Sequence, residues 1–146
     1  MLGVQLYIKN RVDGHIPSDM PPNNMDGWKV HDTSPAQRAN MWRAAVQTLA
    51  RYHQLDYRQL GFAKLLEAGQ SPLQQQLTYW QNYLDWALEG AGHPVCQRAL
   101  DWLQANQPAQ EPTVLCWGDA RLGNIIFWDS LDGIAAVLDW EMAVLG

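Results

Sequence analysis

The apolar pattern of this chain changes character at Pro112, and that change narrows the folds open to it. Before that proline, apolar residues recur at helical spacing in three stretches; after it, they gather in short runs of β-branched and aromatic residues. Ser34-Pro35-Ala36-Gln37 opens the first stretch, since Ser can cap, Pro fits the first helical position and Gln can reach back as a capping box. Trp42, Val46, Leu49 and His53 then share a face, which predicts a helix over 35–55. Ser71-Pro72-Leu73-Gln74 repeats the start signal and predicts a helix over 72–89, with Gly90 and Gly92 at its end. A third helix is expected over 94–105. Strands are expected over 113–117, 125–128 and 134–138, with residues 129–133 turning the last two into a hairpin. Helices followed by short strands imply an α+β class, a small hairpin laid on a helical body. Residues 4–8 read as one more strand, leading through Asp13-Gly14 to a connector at 15–24 where Pro17, Pro21 and Pro22 forbid a regular element. His53 is expected as a hydrogen-bonded core histidine, and Trp42, Trp80, Trp86 and Trp102 as helix-packing residues.

A chain of 146 residues, 47% of them apolar, can build one core. Its net charge of −5 and lack of a basic block argue against nucleic acid or an anionic membrane as partner, so a bound phosphate would need help from a cation. Cys96 and Cys116 form neither a disulfide framework nor a CxxC pair, which points to a reducing compartment. No stretch approaches the roughly 20 apolar residues that span a bilayer, and the N-terminus lacks a secretory pattern. A cytoplasmic protein is the expectation.

Chemistry concentrates in Trp117-Gly118-Asp119-Ala120-Arg121-Leu122-Gly123-Asn124, between two expected strands, and in Asp139-Trp140-Glu141 after the third. An Asp, an Asn five residues on and a second Asp after a hairpin match how kinase-like sites assemble a base and metal ligands. Transfer of a phosphoryl group requires oxygen ligands for magnesium, and Asn124 and Asp139 would each offer one. Asp119 would take or orient the proton of an acceptor hydroxyl, and Arg121 would neutralise the group in flight. Gly118 and Gly123 would allow close approach to ligands. A lone Asp-x4-Asn is common in capped turns, so the flanking glycines, the strands on both sides and the second Asp carry the weight. A P-loop is excluded, because Asn124 and Ile125 occupy the positions that need Lys and a hydroxyl. Glu141 reads as an exposed or supporting residue.

The runs LCWGDARLGNIIF, VLDWEMAVLG and RVDGHIPSDMPP together resemble the aminoglycoside phosphotransferase-like enzymes, in particular the branch related to domains fused to acyl-CoA dehydrogenases. The resemblance covers nearly the whole chain. It implies a protein-kinase-like fold, mainly the helical C-terminal lobe, with residues 1–14 as the last N-lobe strand and hinge and 15–146 as a partial C-lobe. It implies that Asp119 is the catalytic-loop aspartate, that Asn124 and Asp139 hold Mg2+, and that Asn10, Arg11 and Val12 lie where the hinge touches the nucleotide. ATP is the implied phosphoryl donor, with GTP not excluded, and a small hydroxylated molecule the acceptor. Trp117 departs from the family pattern, which commonly has His there, and Lys9-Asn10 replaces an apolar and an acidic residue. No glycine-rich loop or phosphate-holding lysine precedes residue 4, so a fragment inactive by itself is expected. The alternative is a non-catalytic lobe serving as a folding or interaction module, oligomeric through the face a missing lobe would cover.

Overall fold

The computed structural model describes residues 10–110 and 112–146; the strand expected at 4–8 lies outside them. The chain divides into two compact units. One takes residues up to Ala50 together with Asp119–Glu141, and the other takes Arg51–Gly118 with Met142–Gly146.

In the first unit, a one-turn helix α1 (Trp28–His31) precedes α2 (Pro35–Tyr52), which runs on into the second unit. The capping box forms at α2: Ser34 Oγ accepts from the Gln37 backbone N–H at 3.2 Å, and Gln37 Oε1 accepts from the Ser34 N–H at 2.9 Å. Strands β2 (Ile125–Phe127) and β3 (Ile134–Val137) form the expected hairpin, paired Ile125 to Val137 and Ile126 to Ala136. The register then shifts so that Phe127 meets Ile134. Every residue of β2 is buried, and with Met41 and Pro17 it forms the apolar centre of this unit. The connector at 15–24 has no helix and no strand of its own, but His15 bridges Phe127 through both backbone groups at 2.9 Å. The proline loop is thereby tied to the hairpin.

The second unit holds α3 (Pro72–Ala87) and α4 (Pro94–Ala105), with a 3-10 turn at Phe62–Leu65 before them. Ser71 caps α3 by accepting the Gln74 N–H at 3.1 Å, and the His93 ring caps α4. Strand β1 (Leu115–Cys116) pairs antiparallel with β4 (Val144–Leu145), a strand the sequence pattern did not announce. Leu115, Trp117, Leu145 and Tyr57 are the buried apolar residues here.

Two expectations about packing fail. The first long helix ends at Tyr52, because Gln54 and Leu55 close the chain with three-residue turns, and His53 stands exposed in the bend. The helix tryptophans are not interior: Trp42, Trp80, Trp86 and Trp102 are 63%, 43%, 73% and 62% exposed. On α3 the rings of Tyr79, Trp80, Tyr83 and Trp86 lie against one another instead. The contact between α3 and α4 is made in part by amides, with Gln81 and Gln97 exchanging hydrogen bonds and Gln104 donating to Gln74. Among the described residues no helix is long and apolar enough to cross a membrane.

Candidate active site

The loop between β1 and β2 begins at Gly118, whose φ of 93° suits glycine and whose missing Cβ leaves space for the Met142 carbonyl. Asp119 follows, and the chain tightens at once: the Arg121 N–H reaches the Asp119 carbonyl at 3.0 Å, and Asn124 N–H reaches that of Arg121 at 3.1 Å. A 3-10 turn, Leu122–Asn124, completes the loop and delivers Asn124 to the buried start of β2.

These turns gather the side chains around one carboxylate oxygen. Asp119 Oδ2 accepts from Arg121 Nε at 2.6 Å and from Asn124 Nδ2 at 2.9 Å. Asn124 Nδ2 also donates to the Asp119 backbone carbonyl at 3.1 Å. The amide nitrogen is thus committed inward, and Asn124 Oδ1, on a residue only 6% exposed, has no hydrogen-bond partner among the described residues. A buried oxygen left unmatched is the kind of atom a cation or water completes. Asp119 Oδ1 is likewise without a partner among the described residues, and the carboxylate is about one-third exposed.

Asp139 reaches the same region from β3. Leu138 N–H donates to the Asn124 carbonyl at 2.8 Å, extending the hairpin by one bond, and Asp139 then turns at φ 59°. A left-handed backbone is tolerated better by Asp and Asn than by other side chains, since a short polar group can bond locally. The charge of Asp139 is felt at Arg121: hydrogen bonding to Asp119 above all holds that guanidinium protonated beyond the usual arginine range, desolvation opposes it, and the charges of Asp119, Asp19 and Asp139 each add a smaller effect in the same direction as the hydrogen bond.

The structure therefore brings together Asp119, Arg121, Asn124 and Asp139. Asn10, Arg11 and Val12 are exposed on the segment leading to Gly14, with Arg11 Nε spent on Asp13 at 2.8 Å. Glu141 is exposed. One acidic neighbour escaped the sequence reading: Asp19, from the proline loop, pairs with Arg121 Nη1 and lies where a side chain on Gly123 would stand. Gly123 thus makes room for a carboxylate of the chain itself. Nothing local to 118–124 signals this partner, which is 102 residues away.

Comparison with known proteins identifies the family and the fold. The profile of the phosphotransferase enzyme family matches residues 6–146. Acyl-CoA dehydrogenase family member 11 of Pongo abelii is 31% identical over 153 residues, covering all of this chain and 18% of that protein. Acyl-CoA dehydrogenase family member 10 of Mus musculus is 33% identical over 112 residues, covering 77% of this chain and 10% of that protein. A crystal structure from Ralstonia eutropha JMP134, provisionally named an aminoglycoside phosphotransferase, superposes with a TM-score of 0.73 at 27% identity, over 93% of this chain and 39% of the other. The chain thus spans less than a fifth of the length of these curated relatives. The fold is kinase-like and α+β, helical with small antiparallel sheets.

Proposed function

This chain belongs to the phosphotransferase enzyme family, and from that premise we propose that it carries the catalytic loop of an enzyme moving the γ-phosphoryl group of ATP to the hydroxyl of a small molecule. The observation that carries the proposal is the shared Asp119 oxygen. With Oδ2 held by Arg121 and Asn124, Oδ1 is the oxygen left to receive a proton from the acceptor. As the acceptor oxygen bonds to the γ-phosphorus, the bond from that phosphorus to the β,γ-bridging oxygen breaks, ADP leaves, and the hydroxyl proton passes to Asp119. Arg121 has Nη2 free of partners among the described residues, and in this reading it offers that end to the phosphoryl oxygens.

Mg2+ would be held by Asn124 Oδ1 and Asp139, supplying charge neutralisation at the nucleotide phosphates. The net negative charge of Asp19, Asp119 and Asp139 against one arginine suits a dication. Residues 10–14 would form the hinge to the nucleotide lobe, with Asn10, Arg11 and Val12 toward the adenine, and 15–146 would belong to the second lobe. The acyl-CoA dehydrogenase names of the relatives favour a hydroxylated acyl thioester among the acceptors to be tried.

Titration calorimetry with ATP, with and without magnesium, tests the reading. Magnesium is expected to strengthen binding, and Asp139→Ala to lose roughly tenfold or more in affinity. Equal magnesium-dependent binding by the two proteins would sink the metal role, and an absence of nucleotide binding would favour a non-catalytic lobe.

A further inference from the structure

The proline loop does more than connect. Its His15 backbone is bonded to Phe127 on β2, Pro17 is buried, and the Trp28 indole N–H donates to the Ile16 carbonyl at 3.2 Å. Ser18 Oγ donates to the Met20 carbonyl at 2.9 Å and accepts the Met20 N–H at 3.1 Å, fixing the turn that holds Asp19. A residue fastened on both sides in this way presents its side chain in one place. Asp19 meets Arg121 Nη1 there, on the side of the guanidinium away from the Nε that binds Asp119.

Resting on the phosphoryl-transfer reading above, we propose that Asp19 is a positioning residue that holds Arg121 on the catalytic-loop carboxylate. An arginine tethered by Nε alone can swing about that bond. A second carboxylate on Nη1 removes the swing, because the planar guanidinium is then gripped at two points. Two consequences follow for the site. Asp119 Oδ2 stays occupied, so its other oxygen remains the one available to the acceptor, and Nη2 is the Arg121 nitrogen that has no partner among the described residues. Asp19 acts through Arg121 and touches neither nucleotide nor acceptor in this scheme. Its misplacement is felt as lost orientation, for which small displacements cost large factors in rate.

The test uses the full 146-residue chain with 15N-labelled arginine. The Arg121 Nε–H resonance is assigned by its loss in Arg121→Lys. In the unaltered protein this hydrogen is expected to exchange slowly with water; in Asp19→Ala its exchange should accelerate about tenfold, and Asp19→Glu should restore part of the protection. Phosphate release from magnesium-ATP gives the second readout. Asp19→Ala is expected to lower kcat roughly tenfold with the KM for ATP changed less than about twofold, and Asp19→Glu to recover part of kcat. If the alanine variant does not fold by circular dichroism, the isosteric Asp19→Asn replaces it in both assays. Unchanged Nε–H exchange overturns the proposal whatever the kinetics. Faster exchange with unaltered kcat overturns its catalytic part. A wild-type chain that binds magnesium-ATP without releasing phosphate overturns the catalytic part for this chain, and one that does not bind it removes the phosphoryl-transfer reading as well, while the exchange measurement still decides whether Asp19 holds Arg121.

Discussion

Gly118 and Cys116 sit two residues apart and respond to different physics. At Gly118 an added methyl group would meet both a left-handed backbone and the Met142 carbonyl. Gly118→Ala should therefore destabilise the protein by on the order of 2–3 kcal/mol, read as a lower urea midpoint with an unchanged slope. At Cys116 burial pushes the thiol pKa up, against a smaller opposite effect of the Gly146 backbone. The sign follows: the neutral thiol is favoured by folding, so this stabilisation is complete below the unfolded thiol pKa and is lost as pH rises through the folded one. Iodoacetamide should thus modify Cys116 more slowly in the native chain than in the urea-unfolded chain at mildly alkaline pH, with the gap narrowing at higher pH; peptide mapping by mass spectrometry measures both rates. Asp119, Asn124 and Asp139 were legible as a group in the sequence because their spacing across a turn and a hairpin is a local property. Asp19 was not, since only tertiary structure joins it to Arg121.

At the scale of elements, legibility tracked how much of each boundary is written in side-chain chemistry. The helices expected from 35 and 94 begin at Pro35 and Pro94, and the one expected from 72 begins at Pro72, because a capping side chain and a proline mark each start. Their ends were less well marked. α2 stops three residues short of its expected end, through backbone turns that no residue type announces. Strand β4 went unread because two residues, Val144–Leu145, carry no alternation to detect and gain strand character from pairing with β1. Helical periodicity marked apolar faces without saying what covers them, which is why the exposed tryptophans were misread. The caps themselves yield a comparison. Ser34 Oγ makes two hydrogen bonds with Gln37, whereas Ser71 Oγ accepts one from Gln74. Ser34→Ala should cost about 1 kcal/mol and Ser71→Ala less, measured by chemical denaturation of each variant.

Across the whole molecule, the negative balance of the sequence and the acidic character of the site agree: a chain of net charge −5 places three aspartates about a single arginine. The chain returns to each unit after leaving it, so neither unit is a continuous segment. The strap that joins His15 to Phe127 and Asp19 to Arg121 shows what this means for assembly. Closing a loop of 102 residues forfeits roughly 4 kcal/mol of chain entropy, taking the logarithmic dependence on length without its constant. Contacts of such long range are slow to form in any chain. During synthesis the strap leaves the ribosome a hundred residues before the turn it secures, and that turn is seated only when β2 emerges to receive it. The candidate site is then among the last features this chain completes as it folds, set by the meeting of distant segments.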